Sequence, residues 1–193
     1  WNVPTTAVSG VYLAKLIRED GIYGQNHIIF VVRDDEGQSD MLFQTSDTTW
    51  QAYNTWGGSS LYFPNYPNGR ASAVSYSRPF ANYNDIPLNF FFGEEYAMIR
   101  FLERNGYDVS YSSGIDTDRR GAELLEHKIF MSVGHDEYWS GQQRANVEAA
   151  RDAGVNLAFF SGNEMFWKVR WEEDANGART MVCYKETLAN AKI

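Results

Sequence analysis

The sequence is poor in the residues that build disulfide frameworks and zinc clusters. It contains one cysteine, Cys183, and three histidines among 193 residues. A single cysteine excludes an internal disulfide and any zinc site made of several cysteines. Because Cys183 lies in an apolar segment, TMVCYKE, it is predicted to be a packing residue. The redox compartment is left open.

Positive charge and long apolar runs are also scarce. There are 17 Lys and Arg against 25 Asp and Glu, which gives a net charge of −8. This balance argues against nucleic acid or an anionic membrane surface as the main partner. No apolar run approaches the roughly 20 residues that a bilayer-spanning helix needs, and the first residues are not expected to be a signal peptide. The sequence leaves the compartment undecided between secretion and the cytoplasm.

Hydrophobic periodicity predicts an N-terminal β-hairpin followed by alternating strands and helices. Two alternating segments, SGVYLAKLIRED and HIIFVVRDD, flank a glycine-containing turn. Later segments such as MLFQTS, ASAVSYSRPF, KIFMSV and TMVCYKE have the composition of strands. A helix is predicted from about Ser140 to Ala153, with Gly154 at its end. The alternation predicts an α/β fold with an open, mainly parallel sheet, helices on both faces, and a flavodoxin-like or related arrangement.

Polar and aromatic residues follow four of the predicted strands. Three of these polar residues, His135, Asp136 and Glu137, lie in the turn GHDEYW between KIFMSV and the predicted helix. The other stretches are QTSDTTWQAYN, YSSGIDTD and SGNEMFW. Ligands of such sheets bind beyond the carboxyl ends of the strands, so these four stretches are expected to converge on one site.

The GHDEYW turn has several possible roles on the residues alone. A nucleophile is disfavoured, because the turn contains no Ser or Cys and the chain has no G-x-S-x-G motif. Zinc fits poorly, since His27 and His127 are predicted to be structural. Oxygen ligands suited to Fe(III) remain open. Glu137 alone could be a carboxylate favoured by a helix N-terminus, and Asn163 in SGNEMFW could be an ordinary turn residue.

A resemblance covers nearly the whole chain. It is carried by the segments SGVYLAKL, QTSDTTWQAYNTWGGSSLY, SYSRPF, EEYAMIRFLERNGYDVSY, HKIFMSVGHDEYWSGQQRANVEAARDAGVNLAFFSGNEMFWKVRW and CYKET. Together they resemble the catalytic large-subunit domain of N,N-dimethylformamidase and its relatives. This resemblance implies a class I glutamine-amidotransferase-like α/β fold that has lost the cysteine and gained a mononuclear iron.

The resemblance also implies the site residues. The iron of the family is held by two tyrosines and one glutamate, which match Tyr53 in WQAYN, Tyr96 in GEEYAMIRFLE and Glu137 in GHDEYW. The catalytic histidine and asparagine of the family match His135 and Asn163.

One catalytic glutamate of the family has no secure counterpart. The expectation is that it lies beyond Ile193, or less favourably at Glu186. The chain is accordingly predicted to consist of a hairpin segment, residues 1–40, and an amidotransferase-like domain, residues 41–193, that is truncated at its C-terminus. Further domains or subunits of a larger protein are expected partners.

These residues are chemically suited to amide hydrolysis. Two phenolates and a carboxylate neutralise Fe(III), which polarises a carbonyl and lowers the pKa of bound water. His135 is predicted to move a proton to the leaving amine, and Asn163 to hydrogen-bond the carbonyl oxygen. An aromatic wall suited to a small amide substrate is predicted from Trp50, Trp56, Trp139, Phe166 and Trp167.

The leading hypothesis is therefore a metal-dependent, iron-containing hydrolase of linear amide C–N bonds. The alternative is a non-catalytic module that binds a ligand such as a carbohydrate through its aromatic side chains. A third interpretation, a hydrolase of a different C–N bond, uses the same site residues and differs only in substrate.

Overall fold

The computed structural model describes residues 2–62, 69–80, 90–174 and 177–185. The strands in these ranges are β1 (Gly10–Ile17), β2 (Gln25–Val32), β3 (Met41–Gln44), β4 (Ala73–Ser75), β5 (Val109–Ser112), β6 (Ile129–His135), β7 (Tyr138–Ser140), β8 (Asn156–Gly162), β9 (Trp167–Asp174) and β10 (Gly177–Val182). The α-helices are α1 (Asp47–Tyr53), α2 (Glu95–Arg104), α3 (Gly114–Arg119) and α4 (Gly141–Asp152), and a 3-10 helix spans Gly121–Glu126.

A four-stranded parallel sheet forms the centre of the molecule, in the order β5-β3-β6-β8. Strand β3 is buried along its whole length, as is typical of a parallel sheet covered on both faces. The chain passes from each of these strands to the next through helical segments. The prediction of an α/β fold with a parallel sheet is confirmed at this level.

Helices cover both faces of this sheet, because successive side chains of a strand point to opposite sides. Phe43 of β3 packs in one cluster with Ile99 and Leu102 of α2. Its neighbour Leu42 packs in a different cluster with Val147 of α4. The sheet therefore lies between α2 on one side and α4 on the other.

The predicted N-terminal hairpin is present and lies against the α2 side of the sheet. Strands β1 and β2 pair antiparallel. Val11, Ile29 and Val31 pack against the cluster that contains Phe43. The backbone N–H of Tyr111 in β5 also donates a hydrogen bond of 2.9 Å to Oγ of Ser9. The division of the chain at residue 40 stays a prediction.

A second sheet, in the order β4-β10-β9-β7, was not predicted. Two predicted strands, ASAVSYSRPF and TMVCYKE, contribute β4 and β10 to this sheet and not to the parallel one. Strands β7 and β9 had no prediction at all. Met181 of β10 lies between Val74 of β4 and Trp171 of β9, and both pairings are antiparallel. Alternation within a short segment does not specify such distant partners, which explains the error.

Helix α4 begins and ends where the sequence predicts. Ser140 is its N-cap and forms a capping box with Gln143, and each side chain accepts a hydrogen bond from the other's backbone N–H. The helix is followed by Gly154 with a φ of 105°, a left-handed conformation that favours glycine. None of the helices in the described ranges is long and apolar enough to cross a bilayer.

Candidate active site

The GHDEYW segment passes from one sheet to the other. Strand β6 ends at His135 and β7 begins at Tyr138, so Asp136 and Glu137 form a two-residue link between the sheets. Helix α4 follows β7 directly, with Ser140 as its N-cap. Gly134 has a φ of 84°, and a Cβ there would lie 3.2 Å from Cβ of Glu94. The backbone before the link therefore requires glycine.

Glu137 lies at the centre of the candidate site and is bonded to α1. Its side chain is buried, and so is that of Tyr53. The Tyr53 hydroxyl donates to Oε1 of Glu137 at 3.0 Å and lies 3.3 Å from Oε2. The backbone N–H of Glu137 donates to Oγ1 of Thr49 at 3.0 Å. Thr49 and Tyr53 are four residues apart on a helix, so one face of α1 holds the glutamate.

His135 and Asn163 approach the same carboxylate from the ends of β6 and β8. Nδ1 of His135 lies 3.6 Å from Oε1 of Glu137, and the histidine side chain is 33% exposed. A Cβ on Gly162 would lie 3.3 Å from Nε2 of His135, so glycine leaves room for the imidazole. The side chain of Asn163 lies near Glu137 and lowers the pKa of its carboxyl group. The structure thus brings together four of the five predicted site residues.

Lys185 adds a buried cation that the sequence did not predict as a site residue. It is 7% exposed, and its Nζ donates to the Tyr138 hydroxyl at 2.7 Å. Nζ also lies 4.6 Å from the centre of the Trp167 ring and 5.0 Å from those of Tyr62 and Tyr138. Such contacts stabilise a desolvated ammonium group. The ring of Tyr62 in turn stacks on that of Tyr53 at 4.4 Å.

Burial and nearby charges act in opposite directions on Glu137. Burial raises the pKa of its carboxyl group and is the dominant influence. The hydrogen bond from Tyr53, the charges of His135 and Lys185, and the nearby Asn163 side chain lower that pKa. Burial and the adjacent Glu137 carboxylate both raise the pKa of Tyr53, so its phenol keeps the proton that it donates. A cation between the two oxygens would act in the opposite direction and lower both pKa values.

The fifth predicted residue, Tyr96, is not brought to this group. It lies in the first turn of α2, where its ring contacts those of Phe91 and Phe92, and it is 40% exposed. The buried residue of that turn is Glu95, whose carboxylate accepts hydrogen bonds from the backbone N–H of Ser46 at 2.8 Å and from other donors.

The predicted aromatic wall is only partly present. Trp50 and Trp139 are buried in the clusters on the two faces of the parallel sheet, and Trp50 lines a different cavity beside the N-terminal hairpin. Trp167 lies at the site over Lys185. Trp56 and Phe166 are exposed.

Residues missed by the prediction are Lys185, Tyr62, Tyr138 and Thr49. All four lie in segments that carried the resemblance, CYKET, GHDEYW and QTSDTTWQAYNTWGGSSLY, and this was the only sequence signal for them. Nothing local indicated that a lysine after an apolar strand would be buried among rings from distant segments.

Tyr53 and Glu137 together fit a hard metal ion. Their oxygen atoms lie 3.0 Å apart, and phenolate and carboxylate oxygens prefer ions such as Fe(III). In the ranges that the structure describes, no group of three or more His, Cys, Asp and Glu side chains is placed to hold a metal. Tyr53 supplies a phenolic oxygen beside Glu137. Glu186, the alternative position of the further catalytic glutamate, lies outside the described residues.

Comparison with known proteins gives one match over the whole chain. The family model described as "N,N-dimethylformamidase beta subunit-like, C-terminal" matches residues 1–192. A search of the curated proteins finds no match.

Proposed function

The chain belongs to the N,N-dimethylformamidase beta subunit-like family, and from that premise we propose that it is a metal-dependent hydrolase of linear amide C–N bonds. The observation that carries the proposal is the buried Glu137 carboxylate, which contacts Tyr53 and Asn163 and lies 3.6 Å from His135. We also infer an amidotransferase-like arrangement, in which the link after β6 occupies the place of the nucleophile turn.

Tyr53 and Glu137 would hold a mononuclear iron, Fe(III), whereas Tyr96, the third ligand that the resemblance implies, packs against Phe91 and Phe92 outside this group. When bound, such an ion polarises an amide carbonyl and lowers the pKa of a bound water molecule. The family description names a beta subunit, so we expect the chain to act together with further subunits or domains.

His135 is suited to move the proton in this reaction. Its ring is one-third exposed, so it reaches both the site and solvent. Its Nδ1 faces the Glu137 carboxylate, which orients the ring. Protonation of the departing amine by His135 would make it a good leaving group.

Asn163 and Lys185 are suited to stabilise negative charge. The Asn163 amide lies near the Glu137 carboxylate, so it can donate a hydrogen bond to a substrate carbonyl oxygen bound beside that carboxylate. Lys185 keeps a positive charge beside Glu137 in a largely water-excluded place. The rings of Tyr62 and Trp167 offer an apolar surface for small alkyl groups on the amide nitrogen.

The test is to measure amine release from N,N-dimethylformamide and a panel of linear amides, together with metal content and visible absorption. We expect turnover, one iron per chain, and the charge-transfer band of an Fe(III)–phenolate. Glu137→Gln should lose all three. The control is Glu173→Gln, whose side chain is 76% exposed.

Two outcomes would contradict the proposal. A protein that stays colourless and metal-free after anaerobic iron loading would eliminate iron. Glycan binding without turnover, unchanged in Glu137→Gln, would favour the non-catalytic module.

A further inference from the structure

Asp136, the neighbour of Glu137, has no role in the proposed chemistry, yet it is fully buried. Its Oδ2 accepts hydrogen bonds from Nε2 of Gln44 at 2.6 Å and from Oγ of Ser132 at 3.0 Å. A buried carboxyl group is costly unless it is hydrogen-bonded. The two donors therefore fix the side chain in one position.

The hydrogen bonds continue from Gln44 to the start of α4. Nε2 of Gln143 donates to Oε1 of Gln44 at 3.1 Å, and Oε1 of Gln143 accepts from the backbone N–H of Ser140. Gln44, Asp136 and Gln143 are all 0% exposed. Each amide has only one orientation that satisfies these bonds. The chain Gln143–Gln44–Asp136 thus joins the N-terminus of α4 to the ends of β3 and β6.

The backbone beside Asp136 holds a turn with unusual dihedral angles. Asn163 and Met165 have φ values of 54° and 52°, a region that residues other than glycine adopt rarely. The N–H of Met165 donates to the carbonyl oxygen of Asp136 at 3.0 Å, and that of Trp167 donates to the carbonyl oxygen of Glu137 at 2.8 Å. These two bonds tie the turn to the link that carries Glu137.

We propose that Asp136 is a positioning residue, which acts through the Gln143–Gln44–Asp136 chain to hold Asn163 against Glu137. This inference rests on the proposed function of the site, but its geometry does not depend on the substrate. Fixing the Asp136 side chain fixes its backbone, and its carbonyl oxygen then holds Met165. The left-handed conformation of Asn163 directs its amide to the carboxylate. Precise placement of this kind controls reaction rates strongly.

The test compares variants that break the chain at two points. Asp136→Leu removes the acceptor, and Gln44→Met removes the middle link while leaving Asp136 in place. Both should lower kcat about 100-fold with little change in KM, since a small misplacement of catalytic groups costs about that much. Asp136→Asn keeps an acceptor oxygen for Gln44 and should recover most of the activity. Asp152→Leu is the matched control, because the Asp152 side chain is 68% exposed.

Hydrogen exchange provides a measurement that does not require turnover. In Gln44→Met, the amides of Met165 and Trp167 should exchange at least about ten times faster, while those of α2 stay unchanged. A uniform rise over the whole chain, or full protection with full activity in both variants, would overturn the proposal. If the wild-type protein hydrolyses no amide, the hydrolase proposal fails, and the exchange of Met165 still decides whether Asp136 positions the turn.

Discussion

The two walls of the site differ in how they act on Glu137. The first wall, formed by Thr49 and Tyr53 of α1, is uncharged and makes direct hydrogen bonds of 3.0 Å to the glutamate. The second wall, formed by Tyr138, Trp167 and Lys185, belongs to the second sheet and its continuation, and it contributes a buried positive charge. The first wall therefore sets the position of the carboxylate, and the second wall balances its charge.

The difference between the two walls indicates which substitutions should change the geometry of the site and which should change only its electrostatics. Hydrogen bonds depend steeply on distance and angle. The interaction between charges falls off slowly, and it is stronger away from water. Losing a contact in the first wall should thus displace the Glu137 carboxylate. Losing Lys185 should instead change the charge state of Glu137 and leave its position nearly unchanged.

The largest effect is expected from Glu137 itself, on which both walls act. Glu137→Gln removes the charge that a metal and His135 would need, so kcat/KM should fall by about 1,000-fold or more. Bound metal should fall in parallel. Steady-state kinetics and metal analysis measure both, with Glu173→Gln as the exposed control. If Glu137→Gln kept its activity, the contacts of the two walls with this carboxylate would have no catalytic role.

A second comparison sets Tyr53 of the first wall against Tyr96 of α2. Tyr53→Phe removes the hydroxyl at 3.0 Å from Glu137 and should reduce metal content and lower kcat about 100-fold. Tyr96→Phe changes a hydroxyl on a residue that is 40% exposed and should have less than about a three-fold effect. Iron content and the charge-transfer band provide the measurement. Loss of iron in Tyr96→Phe would instead place Tyr96 among the ligands and require α2 to move.

Lys185→Met tests the second wall. Methionine fills the space among the rings without the charge, so kcat should fall about ten-fold while the free energy of unfolding stays within about 1 kcal/mol. The pH profile of kcat should shift to higher pH, because Lys185 lowers the pKa of Glu137. Lys168→Met, on the exposed side of β9, is the control. An unchanged pH profile would show that the second wall does not act on the charge of Glu137.

Features of the fold that depend on neighbouring residues could be predicted from the sequence. Helix α4 was predicted from Ser140 to Ala153 because the character of its own segment and Gly154 at its end are local signals. The second sheet was missed because it depends on pairings such as Trp171 with Met181, between segments with no shared pattern. Strand β9, WKVRWEED, alternates apolar and charged residues, but it was interpreted only as the end of a motif.

The residues of the site also divide into those that a local motif indicated and those that depend on contacts between distant segments. His135 and Glu137 lie in one short motif and were found together. Lys185 was missed because its burial depends on rings contributed by Tyr62, Tyr138 and Trp167, which are far apart in the chain. Trp139 was placed in the cleft by prediction, but it is buried against α4, since composition does not show which side of a strand faces a ligand.

The smallest expected effect concerns Asp47 at the start of α1, the helix of the first wall. Burial raises the pKa of Asp47 to about 6, although Gly114, Tyr76 and Thr45 donate hydrogen bonds to its carboxyl group. Between the unfolded value of 3.8 and about 6, the folded chain keeps a proton that the unfolded chain has lost. The stabilisation by this proton is complete below pH 3.8 and is lost as pH rises through 6.

Raising the pH from 4.5 to 5.5 should therefore lower the free energy of unfolding of the wild type by about 1 kcal/mol, because of Asp47. Asp47→Asn cannot titrate, so the difference in stability between this variant and the wild type should change by that amount over the same range. Urea denaturation at the two pH values measures it, and Asp152→Asn should show no such change. If the difference in free energy of unfolding between Asp47→Asn and the wild type stayed constant with pH, the three donors would be keeping Asp47 ionised. The first wall would then contain a buried negative charge, as the second wall contains the buried positive charge of Lys185.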